Sequence, residues 1–268
     1  MRLLYSSISE TEAAQVAFAD YSDAQQLRAL AGASARIDSR LASRYALPLS
    51  TRATGSVLLT DVPADGDTIT LSSVTYRFKT TAAQAFDVTR GATAAATGIN
   101  LARAINASSQ GGYYSSTTIN PDIEATTEGA TVAIRARFGG AAGNLLTVSS
   151  ASSAITETAL TGGAGDYASL ATIAQWLAVS FLLRGQNPGP GQNMAKDQPQ
   201  DYSKLALDWL EALMNGDETL EDDTGASASL STSARPWSDT SELGADPFAD
   251  EGDPACWGHD EDKDYERT

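Results

Sequence analysis

The feature that most constrains this chain is a hydrophobic period that changes twice. Apolar residues recur at helical spacing up to Tyr45, alternate with polar ones from about Thr54 to Gly163, and return to helical spacing after Gly165. Before the first change, a short pattern covers Ser9 to Ala19 and a longer one Ser22 to Tyr45. In the longer one, Leu27, Leu30, Ala31, Ser34, Ile37, Leu41 and Tyr45 follow steps of three and four, while Arg28, Arg36, Arg40 and Arg44 fall largely on other faces. Pro48 ends it, because the residue before a proline is pushed out of the α region.

After the second change, Tyr167 to Arg184 carries Leu170, Ile173, Ala174, Leu177 and Phe181 on one stripe and runs into the breaker that begins at Gly185. A last helix starts near Pro199, carries Tyr202, Leu205, Trp209, Leu210 and Leu213, and stops at Asn215-Gly216. Neither half is long enough to bury its stripe alone. Joined, they predict a compact bundle of about four helices. The middle segment is then an insertion whose ends, near Thr51 and Gly165, must lie close together.

Within the insertion the alternation predicts strands at Ser56 to Thr60, Thr68 to Leu71, Val74 to Lys79, Ile123 to Thr127, Thr131 to Arg137 and Leu145 to Ser149. One helix at Thr93 to Ala107 interrupts them, so the order is strands, helix, strands. Ala64 to Asp67 is expected to form a hairpin turn between the first two strands.

From Asp217 onward the character changes again. Sixteen acidic residues stand against three basic ones, so a net of −13 out of the total −16 sits in this segment. High charge with few aliphatics predicts disorder in isolation, or order gained on a partner. The expected organisation is therefore α+β. A discontinuous helical domain spans 1–50 and 166–216, a β-rich domain 51–165 is inserted into it, and an acidic extended tail covers 217–268.

The overall acidity disfavours nucleic acid and anionic membranes as partners and favours proteins. No segment reaches the roughly 20 apolar residues of a membrane span, and Met1 to Glu10 does not read as a secretory signal. With Cys256 as the only cysteine, no intrachain disulfide forms, which fits a cytoplasmic origin.

Candidate sites are few. Asp61, Asp65 and Asp67 cluster in a turn and have the chemistry of calcium ligands, but Asp65-Gly66 reads better as turn chemistry. Cys256 and His259 invite a zinc or nucleophile reading, yet zinc needs further ligands and a catalytic pair needs a rigid scaffold. The runs Gly139 to Gly143 and Gly162 to Gly165 lack the ending of a phosphate-binding loop and read as a turn and a domain hinge. No catalytic, cofactor or metal site is expected. Arg28, Arg36, Arg40 and Arg44 are expected to form an intersubunit or channel-facing row. Trp237, Phe248 and Trp257, spaced through the acidic tail, are expected to anchor it on a partner.

With its halves rejoined, the helical part resembles the head-tail adaptor (connector or neck) proteins of tailed bacteriophages, including the Mu-like group. The resemblance rests on Ala33 to Leu49 (ASARIDSRLASRYALPL), on the apolar helix Leu170 to Arg184, and on Tyr202 to Leu220 with its Trp209-Leu210 pair. It covers about 110 residues; the long insertion and long acidic tail depart from the usual members. The insertion is itself similar to small β-α modules of phage virion proteins, through phrases such as ADGDTITL, LARAIN and GAAGN.

The resemblance implies a dodecameric ring stacked on the portal protein, bound below by the next neck or tail protein, with DNA passing through its channel without specific binding. It also implies a virion component assembled in the host cytoplasm. Two alternatives stand beside it: another virion component, such as a decoration or tail-completion protein, and a receptor- or carbohydrate-binding module carried by the insertion.

Overall fold

In the computed structural model the described residues are 3–15, 18–185 and 198–231. They form an α+β fold with five α-helices and two small sheets. Helix α1 (Ile8–Ala14) starts at a capping box, in which Ser7 Oγ accepts the Glu10 amide and the Glu10 carboxylate accepts the Ser7 amide. Helix α2 (Asp23–Leu41) carries the apolar stripe expected of it and buries Leu27, Leu30, Ala33, Ile37 and Leu41. It ends four residues short of Tyr45, because the chain turns over 42–44 to bring Tyr45 beside Leu230.

Helices α4 (Ala168–Gly185) and α5 (Gln198–Asn215) pack on each other and on α2. Trp176 and Trp209 meet with ring centroids 5.7 Å apart, and Leu210 and Leu213 are buried. Gly216, at φ +84, supplies the left-handed residue that closes α5, its amide bonding to Ala212 O. The packed chain then continues past the expected boundary at Gly216. Leu220 is 1 % exposed and Ala228 is buried with it, in the same core as α2 and α4. The acidic composition from Asp217 hides these two small anchors, which is why the tail was expected to begin too early.

The middle segment builds a second core. One sheet has the order β5-β6-β1-β8, from β1 (Thr54–Leu59), β5 (Ile123–Glu128), β6 (Thr131–Ala136) and β8 (Ile155–Thr161). The other has the order β4-β3-β2-β7, from β2 (Thr68–Leu71), β3 (Val74–Lys79), β4 (Asp87–Thr89) and β7 (Val148–Ser150). All pairings are antiparallel except β3 with β4. Helix α3 (Ala94–Ile105), capped by Thr93, lays Leu101, Ala104 and Ile105 against this core.

The expected β1–β2 hairpin is not formed: the two strands belong to different sheets. Residues 64–67 instead fold back on β3, where the Gly66 amide bonds to Phe78 O and the Phe78 amide to Asp67 O. Strands β4 and β8 were not foreseen, and Leu145 lies in a 3-10 turn (Ala141–Leu145) rather than a strand.

The two crossings between the cores lie side by side. The Thr51 amide bonds to Ala164 O (2.9 Å) and the Ala164 amide returns to Thr51 O (3.3 Å). A third connection comes from the N-terminus, where the Leu4 amide bonds to Arg137 O and the Gly139 amide to Leu4 O.

Candidate interaction surfaces

Where the cores meet, α1, the N-terminal half of α4 and the 3-10 turn enclose a cleft of about 710 Å³. Its floor and hinge side are Tyr5, Ser50 and Gly165, and Ala171, Thr172 and Gln175 of α4 form one wall. Ala141, Ala142 and Leu145 of the 3-10 turn also line the cleft, and Leu145 is 84 % exposed. Three carboxylates, Glu10, Asp166 and Asp223, line the cleft, and no basic side chain does. Each is held by local structure. Glu10 caps α1, Asp166 Oδ2 accepts the Ala141 amide (2.8 Å), and the Asp223 amide is tied to Asp166 O (3.0 Å).

Gly140 makes the 3-10 lining feasible. Its φ of +102 turns the chain into the 3-10 segment, and a Cβ there would collide with the Asp166 carboxylate. Deeper in, the Tyr5 hydroxyl donates to Asp38 Oδ1 on α2 (2.5 Å). Burial first, and then the Asp38 carboxylate, push the Tyr5 phenol far above its ordinary pKa.

The four arginines expected to form a row, three on α2 and Arg44 in the turn after it, separate into two groups. Arg44 is half-buried and committed: its Nη1 donates to Met214 O (2.9 Å) at the C-terminus of α5, where a cation meets unpaired carbonyls. Arg28 and Arg40 are exposed and Arg36 is half-buried. No described carboxylate pairs with any of the three, and none of them lines the cleft.

A further charged cluster was not foreseen from the sequence. Glu124, at the start of β5, accepts ion pairs from Arg52 (2.5 Å), Arg135 and Arg137 (3.7 Å). Arg137 is 2 % exposed and its Nε also donates to Asn120 O. Burial lowers the guanidinium pKa of Arg52 and Arg137, while Glu124 opposes that change. Within Ile134 to Phe138, Arg135 faces solvent in part, whereas Arg137 turns inward where β6 ends. Nothing in the spacing links 52, 124 and 137.

The aspartate turn is occupied by the protein's own donors. Asp67 Oδ2 accepts the Ala64 amide and the Ser152 hydroxyl, and Asp65 accepts the Thr80 amide (2.6 Å) and Lys79. Among the described residues there is no group of three or more potential metal ligands. Trp237, Phe248 and Trp257, together with Cys256 and His259, lie outside the described residues. No helix among the described residues is long and apolar enough to cross a membrane. No known protein-family model matches the chain, and no curated protein matches it.

Proposed function

We propose that the chain is a structural head-tail connector of a tailed phage, without chemistry of its own. Copies form a ring below the portal protein, around the DNA channel, and offer a platform to the next neck or tail protein. In this reading residues 1–50 and 166–216 act as a discontinuous bundle of about four helices, and the β part is an inserted module that decorates or braces the neck.

The observation that supports it most is the shared core of the helical segments. Leu30 and Ile37 of α2, whose phrase ends at Arg44-Tyr45-Ala46-Leu47-Pro48-Leu49, lie in one core with Leu170 and Leu177 of α4 and Leu210 of α5. The order of elements thereby follows the adaptor resemblance, with the insertion leaving and returning at one place. The concentration of charge in the C-terminal segment also suits the reading. A nearly balanced helical body can pack side by side, and Trp237, Phe248 and Trp257 provide aromatic anchors for a basic portal or neck surface.

The test is reconstitution. The full chain mixed with the portal protein encoded by the same phage or prophage should sediment with it and add a ring of density in negative-stain images. A chain that stays monomeric and leaves the portal bare refutes the connector reading.

A further inference from the structure

We infer that the acidic cleft between the two cores is the receptor for the arginine row of α2 on a second copy of the chain. The inference rests on the ring reading above and names the surfaces that would build the ring.

The cleft has the composition that a long cationic side chain requires. Ala141, Ala171 and Leu145 offer apolar wall for an aliphatic stem, and Glu10, Asp166 and Asp223 offer carboxylate oxygens for a guanidinium. Asp223 accepts no hydrogen bond from a described side chain, and Asp166 has one oxygen turned to the Ala141 amide with the other spare. With no basic residue in the lining, the charge is not neutralised from within.

The complementary surface is on the same chain. Arg28, Arg36 and Arg40 lack a described carboxylate partner and recur at multiples of four residues, so they wind across about 120° of α2 over about 18 Å. Gly32, Ser39 and Ser43 beside them keep the approach open, all three being exposed. Arg44, past the end of α2, is occupied at the end of α5, which leaves three arginines to be received.

A contact between two different patches is heterologous. Each copy presents one row and one cleft, so copies add head to tail, and the series closes into a ring if the rotation per copy divides a full turn. Residues 1–231 carry fifteen basic and twenty-three acidic side chains, so it is the local arginine row, not the net charge, that suits a second copy to the cleft. Bidentate guanidinium-carboxylate pairs, desolvated against Leu145 and Ala171, would also fix the angle between neighbours.

The experiment uses the full chain in sedimentation velocity and native mass spectrometry at about 50 mM and 500 mM salt, which spans strong to weak screening. One variant reverses the row (Arg36→Glu with Arg40→Glu); the other reverses the cleft (Ala142→Lys, Thr172→Lys and Asp223→Lys), whose remaining carboxylates are then outweighed. Wild type should self-associate at low salt and less so at high salt, and each variant should weaken association by about tenfold or more. An equimolar mixture of the two variants should restore it, because the reversed row then meets the reversed cleft.

Circular dichroism melts check folding. If Arg36→Glu disturbs α2, Arg28→Glu with Arg40→Glu carries the same reversal on exposed positions. Wild type that remains monomeric up to about 200 μM, association untouched by either variant, or a mixture that fails to recover, overturns the proposal. Association unaffected by the variants while the portal complex still forms removes this contact and leaves the connector reading. Charge-dependent association without portal binding does the reverse.

Discussion

Thr51 and Ala164 exchange backbone hydrogen bonds as an antiparallel bridge, so the chain enters and leaves the β part through adjacent residues. The pairing is supported on both sides. Ser50 Oγ donates to Gly165 O (2.6 Å), Thr51 Oγ1 donates to Gly162 O (2.9 Å), and the Gly140 amide adds a bond to Thr51 O. Close backbone approach is the reason glycine recurs here.

Gly163→Ala should therefore destabilise the protein by about 1–3 kcal/mol, since its Cβ would strike Gly140 O and the strain must be taken up by both crossings. Gly140→Ala should cost a similar amount through Asp166. Gly129→Ala, also at positive φ but with open space around it, should cost only about 1 kcal/mol. Urea denaturation compares the three; equal costs would contradict the crowding at the neck.

Glu124→Gln should cost about 3–5 kcal/mol, because it removes the carboxylate that compensates Arg52 and the buried Arg137. Arg135→Gln, on the half-exposed member of the same cluster, should cost under about 1 kcal/mol. A small effect of Glu124→Gln in chemical denaturation would show that the cluster is not holding charge in the interior.

Cutting the chain after Gly216 should lower the thermal midpoint below that of a chain cut after Ser231, because Leu220 and Ala228 leave the helical core. Leu220→Ala alone should cost about 2–4 kcal/mol. Identical melts for both truncations would show that residues 217–231 do not contribute to folding.

Alkaline stability should report the buried phenols. Burial pushes the Tyr76 hydroxyl up to about 12 from an ordinary 10.0, with Asn120 opposing. Between these values the unfolded chain ionises Tyr76 while the folded one keeps it protonated. The stabilisation present below pH 10 is thus lost progressively as pH rises toward 12. Tyr76→Phe should flatten the decline in that window, and an unchanged slope would exclude Tyr76 as its source.

What the sequence revealed depended on whether a signal was local. The stripe Leu27, Leu30, Ile37 and Leu41 made α2 readable, and the alternation in Val74 to Lys79 located β3 to the residue, since both follow from one element's own periodicity. The adjacency of Thr51 and Gly165 was also foreseeable, from the inability of either helical half to bury itself. Sheet partnership was not. The turn at 64–67 carries hairpin chemistry, yet β1 finds β6 and β8, and β2 finds β3 and β7, because burial of Val57, Ile69 and Phe78 in one core decides the pairing. The cleft was illegible for the same reason, its three carboxylates coming from positions 10, 166 and 223.

The clamp made by Leu4 has a mechanical consequence. Two crossings side by side would act as a pivot, about which the β part could swing. The bonds of Leu4 to Arg137 and Gly139 add a third contact, next to the bond from the Gly140 amide to Thr51 O, that resists such a swing. A pull on the β part is then delivered to α1 and α4 together, so the appendage works as a lever arm with a constant bearing rather than as a tethered weight.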